Sequence, residues 1–106
     1  MFTLTTKSPN LTSLQIYRDD LTAPQVENLF GPHNYYFNEN DDGYGGPEWH
    51  FEDQDGNVVT LYMRFARVRI GAIKPETAEA FSKWINEKIL TAPNVSSNMI
   101  YNLEKY

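Results

Sequence analysis

The stretch Pro47 to Ile70, PEWHFEDQDGNVVTLYMRFARVRI, constrains this chain more than any other. Trp49 and Phe51 alternate with Glu48, His50 and Glu52, and Val59, Leu61, Met63 and Phe65 alternate with polar neighbours in the same way. A period of two over such runs is the pattern of half-buried strands. A loop Gln54-Asp55-Gly56 with Gly56 in the left-handed conformation joins them as a hairpin. That register sets Phe51 against Val59 and Trp49 against Leu61, so both apolar sets share a face. A two-residue Asp55-Gly56 turn would set Phe51 against Thr60 and split the faces. A one-residue slip moves every side chain to the other side of the sheet, so burial selects the longer loop.

Beyond this hairpin, Met1–Lys7 and the alternating Leu14 and Ile16 read as two short strands, expected to pair as an N-terminal hairpin across the Ser8-Pro9-Asn10 turn. A short helix follows. Thr22 and Gln25 form a capping box, Leu21 and Val26 a hydrophobic staple, and Gly31-Pro32 the stop. Residues 33–40 are expected to be a third strand and residues 40–47 a loop. Apolar positions in the second hairpin strand change from odd (Leu61, Met63, Phe65) to even (Val68, Ile70). A bulge near Ala66-Arg67 is the expected remedy. Tyr62, Arg64, Arg67 and Arg69 then share the outer face. Pro75 opens a helix to about residue 90, with Ala78, Phe81, Trp84 or Ile85, and Ile89 on its apolar stripe. The fold class is therefore α+β: a mainly antiparallel sheet of about five strands, one short helix, and one long C-terminal amphipathic helix packed on one face. The 106 residues suit one domain, with 91–106 as a tail or short helix.

Composition excludes several chemistries. The chain has no cysteine, hence no disulfide scaffold, thiolate zinc site or cysteine nucleophile. No basic-then-apolar leader opens it and no run is long enough to span a membrane, which fits the cytoplasm of a host cell. Asn10-Leu11-Thr12 and Asn94-Val95-Ser96 match the glycosylation pattern by chance in such a setting. The net charge of −5 is unevenly spread, because Asp19–Met63 contains acidic residues and neither Lys nor Arg. Such a stretch repels phosphates, so direct nucleic-acid binding is not expected, while a basic protein surface is attracted to it. The glycines Gly43, Gly45 and Gly46 lack the Lys-Ser/Thr and the following helix of a phosphate loop. Asp53, Asp55 and Asn57 lack the spacing of a calcium loop and are explained by the turn. No catalytic signature, metal site or cofactor site is evident. His50 between Glu48 and Glu52 is the one candidate general base or metal ligand, and the expected setting for it is a solvated strand face.

The order Phe30-Gly31-Pro32, Glu48-Trp49-x-Phe51, Phe51–Tyr62 and Arg69-Ile70-Gly71-Ala72, followed by an amphipathic helix, resembles small proteins encoded in phage and mobile-element genomes. The likeness covers about residues 21–90, and its motifs are structural. It implies an accessory role in a phage, of the kind in which small acidic proteins inhibit host defences. Three functions are thus expected, in this order. The first is a non-enzymatic protein-binding module, an anti-defence inhibitor that docks Tyr36, Glu39, Asp41, Asp42, Tyr44 and Glu48 on a basic host protein. The second is a small-anion or nucleotide binder using Tyr62, Arg64, Arg67 and Arg69. The third is an enzyme using His50 and nearby carboxylates. Homo-oligomerisation stays open. On the second reading the arginines contact a ligand; otherwise they pair across strands with Glu48 and Glu52.

Overall fold

A computed structural model of the chain describes residues 1–37, 46–64 and 67–92. Six strands form one antiparallel sheet. They are β1 (Thr3–Leu4), β2 (Ser13–Tyr17), β3 (Tyr35–Phe37), β4 (Gly46–Glu52), β5 (Val58–Arg64) and β6 (Arg67–Ala72). Helix α1 (Ala23–Phe30) lies between β2 and β3, and α2 (Pro75–Thr91) follows β6. The spatial order is β1-β4-β5-β6-β2, with β3 also pairing to β4. This is the α+β architecture expected, with one strand more than anticipated.

The central hairpin has the register that burial demanded. Phe51 faces Val59 and Trp49 faces Leu61. Gly56 has φ +82°, and its N–H donates to the Asp53 carbonyl while the Asp53 N–H donates to Asn57. Asp53 also accepts from the Asp55 and Asn57 amides and from the Asn57 side chain, which fixes the loop. Helix α1 starts as its sequence dictates. Thr22 accepts from the Gln25 amide, and Gln25 reaches back to the Thr22 N–H. It ends at Gly31 with φ +84°, where the Trp49 indole donates to the Gly31 carbonyl at 2.9 Å. The Phe-Gly-Pro and Glu-Trp segments therefore meet in space.

Three expectations give way to the pairing. The first two strands do not form a hairpin: β1 pairs with β4 and β2 with β6, on opposite sides of the sheet. A longer gain in ladder bonds from the central strands outweighs the local turn. Gly46 and Pro47 belong to β4 and not to the preceding loop, because β3 pairs with them. The phase change after Met63 is a chain reversal and not a bulge, since Arg64 pairs with Arg67 and Met63 with Val68. The bulge sits instead in β2, between Leu14 and Ile16, and sends Leu14 opposite Gly71 while Ile16 faces Ile70. The expected loop and strand end at 38–45, residues 65–66 and the tail at 93–106 lie outside the described residues.

The core lies between one sheet face and the helices. Trp49, Phe51, Val59, Leu61, Val68, Ile70 and Ala72 from the sheet meet Ala78, Phe81, Ile85 and Ile89 of α2 and Val26 of α1. Phe2, Phe30, Phe51 and Phe81 surround Trp84, with ring centroids 5.4–5.8 Å away. Burying each large apolar side chain contributes about 1.5–3 kcal/mol. Arg18 is buried beside this core, at the end of β2. Its guanidinium donates to both Asp20 carboxylate oxygens at 2.9 Å and to the Ser82 carbonyl and hydroxyl at 3.1 and 3.0 Å. The pair clamps the sheet to α2.

Candidate functional site on the outer sheet face

Antiparallel pairing places alternate residues on the face away from the helices. One row across the sheet is Tyr35, Glu48, Tyr62, Arg69 and Tyr17, each opposite the next. The adjoining row on one side is His50, Thr60, Gly71 and Leu14; on the other, Arg64 pairs with Arg67. Tyr62, Arg64, Arg67 and Arg69 thus share the outer face, as the sequence suggested, though from two strands. The link from β1 to β2 must cross from one side of the sheet to the other. It brings Pro9 and Thr12 over this face, where they wall a pocket of about 220 Å³ with Ser13, Tyr35, Glu48, Thr60, Tyr62, Arg64 and Gly71. Gly71 leaves room for it: a Cβ there would stand 2.6 Å from the Thr60 hydroxyl and 3.3 Å from the Tyr62 ring.

His50 is not on a solvated face. It is 3 % exposed, because the Tyr35 ring stacks on it at 4.8 Å and its Nε2 lies 2.8 Å from Glu48 Oε1. The backbone at His50 is held as well. Strands β1 and β3 pair with different parts of β4, and the Asn34 side chain fills the gap between them. Its amide donates to the Thr5 and His50 carbonyls at 3.0 and 3.1 Å and accepts from the His50 N–H at 2.8 Å. Nothing in the local sequence flagged Asn34 or the burial of His50, since both depend on which strands meet.

The arginines are engaged differently from the expected cross-strand pairs with Glu48 and Glu52. Arg67 makes a two-bond fork to Asp19, both bonds 2.8 Å, and its guanidinium lies 3.7 Å from the Tyr17 ring centroid. Arg69 donates to the Arg64 carbonyl and lies 5.1 Å from the same ring. Glu52 pairs with Lys7, and Glu48 with His50. Hydrogen bonding from Arg67 holds the Asp19 carboxyl below its ordinary range. Burial is the chief cause that raises the Tyr62 phenol, with Arg64 and Arg69 opposing it, so Tyr62 stays a neutral hydroxyl.

Of the six residues expected to bind a partner, Tyr36 is 58 % exposed on β3 and Glu48 lines the pocket. Glu39, Asp41, Asp42 and Tyr44 lie outside the described residues. Of the four expected to bind an anion, Tyr62 and Arg64 line the pocket, and Arg67 and Arg69 stand in the rows beside it. Among the described residues no three His, Asp or Glu side chains converge as metal ligands, and no helix is long and apolar enough to cross a membrane. Comparison of the chain with protein-family models, with curated proteins and with solved structures gives no match.

Proposed function

We propose that this is a small-ligand-binding protein whose outer sheet face takes an anionic group. The observation behind this reading is the pocket itself. It has an arginine, a neutral tyrosine and the hydroxyl residues Thr12, Ser13 and Thr60 on its walls, with one carboxylate, Glu48, that is bonded to His50. Guanidinium donors and the Ser13 hydroxyl on one concave surface suit a carboxylate or phosphate, while the Thr12 and Thr60 hydroxyls donate to the Pro9 and Gly71 carbonyls. At about 220 Å³ it falls below the range of about 300–1,000 Å³ usual for drug-sized ligands, so the guest is small. Arg64 is the key contact, and Arg67, tied to Asp19, contributes charge from outside. Binding without chemistry is the reading because His50, the one candidate base, is covered by Tyr35 and occupied by Glu48. The test is thermal unfolding with inorganic phosphate and butanoate. A rise in Tm that Arg64→Gln abolishes and Arg67→Ala only reduces supports the reading; flat melting curves across both anions sink it.

A second reading is a phage-type inhibitor that docks on a basic host protein. It is favoured by exposed Tyr35 and Tyr36 on β3, which leads directly toward the acidic segment with Glu39, Asp41 and Asp42. Exposed aromatics ringed by charge are common interface anchors. Replacing Asp41 and Asp42 by Lys weakens such a complex; unchanged affinity refutes it.

A further inference from the structure

Resting on the anion-binding reading, we infer that anion binding in the outer-face pocket is coupled to protonation of His50, so that the protein takes up a proton with its ligand and binds more tightly as pH falls. Glu48 lines the pocket, and its Oε1 lies 2.8 Å from His50 Nε2. Both side chains stand on the outer face of β4, and the Tyr35 ring stacks on the imidazole at 4.8 Å. His50 is 3 % exposed and the Glu48 side chain 14 %, so water screens the charge of each from the other only weakly.

The charge on this wall of the pocket depends on one proton. Neutral His50 donates from Nε2 to the carboxylate, and the pair carries a single negative charge that opposes an entering anion. A second proton, on the other ring nitrogen, turns the pair into an imidazolium and a carboxylate with no net charge. The anion meets less repulsion in that form, and the face of the Tyr35 ring attracts the imidazolium.

The groups around the pair keep their charge state. From β3 His50 meets Tyr35, and from β5 the uncharged Thr60, with Tyr62 and Arg64 further along that strand. On β6, Arg69 follows Tyr62 in the row, and on β4 the next outward residue is Glu52, paired with Lys7. The link over the pocket brings Pro9, Thr12 and Ser13, none of which ionises. Arginine and lysine stay protonated near neutral pH. Burial keeps the Tyr62 phenol neutral, and the hydrogen bond from Lys7 keeps Glu52 ionised. Histidine is the residue type whose charge changes between about pH 5 and 8. A ligand that prefers one protonation state draws the protein toward it, and by reciprocity the proton raises ligand affinity by the same factor.

The test is titration calorimetry of the intact protein with butanoate, whose carboxylate stays ionised above about pH 6. Affinity should be at least about fivefold higher near pH 6 than near pH 8, the lower end of ordinary coupling between sites. Near neutral pH, the heat measured in two buffers of different ionisation enthalpy should show proton uptake on binding. His50→Gln, which keeps an N–H donor for Glu48, should bind as the unmodified protein does near pH 8, with no proton uptake and a flat profile. The two histidines give a second readout that needs no variant at position 50. In NMR titrations of the imidazole protons, butanoate should move the His50 midpoint upward and leave that of His33, which lies beside Tyr36, where it was. Butanoate binding that is equal at both pH values, or proton uptake that survives in His50→Gln, overturns the coupling while the anion-binding reading stands. Absence of binding at both pH values sinks both.

Discussion

Arg18 offers the sharpest test of how this fold is held. Its side chain is 0 % exposed and the Asp20 carboxylate 2 %, so each charge depends on the other and on Ser82 in place of water. A buried pair need not add net stability over an apolar replacement, but removing one partner strands the other charge and costs about 3–5 kcal/mol. Arg18→Met is therefore expected to lower unfolding free energy by about 4 kcal/mol, and Asp20→Leu by a similar amount. For a domain this size that is a drop in Tm of more than about 12 °C. Total stability is typically about 5–15 kcal/mol, so either change brings the fold near its limit. The double variant removes both charges and should cost less than the sum by at least about 2 kcal/mol, because neither charge is left stranded. Urea unfolding followed by tryptophan fluorescence reads all three. Single-variant losses below about 1 kcal/mol, additive in the double, would mean that the pair behaves as a solvated surface bridge and would refute the clamp.

Asn34→Asp should destabilise by about 1–3 kcal/mol, because a carboxylate cannot donate to the Thr5 and His50 carbonyls. Hydrogen exchange at the His50 amide should stay slow in this variant and quicken in Asn34→Ala, which loses the acceptor as well. Trp84→Ala removes the ring that four phenylalanines surround and should cost about 3 kcal/mol in chemical denaturation. Burial raises the Asp53 carboxyl, but hydrogen bonds from Asn57 and Asp55 outweigh this and leave it below its ordinary value. A depressed folded pKa gives stability that is present above the unfolded value of about 3.9 and lost as pH falls through the folded one. Unfolding free energy should therefore drop below about pH 4, and Asp53→Asn should flatten that slope; an unchanged slope would remove Asp53 from the account.

Local signals were legible wherever neighbours in sequence are also neighbours in space. The Thr22–Gln25 box, the Gly56 turn and the Pro75 start of α2 are all visible in the chain, and the observed elements follow them. The hairpin register was legible because only one register buries Trp49, Phe51, Val59 and Leu61 together. Partner choice among the short strands was not legible. Thr3–Leu4 carries too few side chains to specify a partner, and its place beside β4 depends on Asn34 and on Thr5, whose N–H donates to His50. The arginine face could be read from Tyr62 to Arg69, but the pocket could not. It needs Pro9 and Thr12, brought over the sheet by a link whose path follows from the strand order. Arg18 gave one unused signal: it is a single arginine at a strand end, followed at once by two aspartates.

The central claim is that ligand binding belongs to the outer sheet face. Two-dimensional amide NMR during a butanoate titration tests it most directly. The account predicts saturable shifts clustered at Thr12, Ser13, Thr60, Tyr62, Arg64 and Gly71, lost in Arg64→Gln. Shifts confined to Tyr36 and the acidic segment after it, or none at all at saturating butanoate, would contradict it.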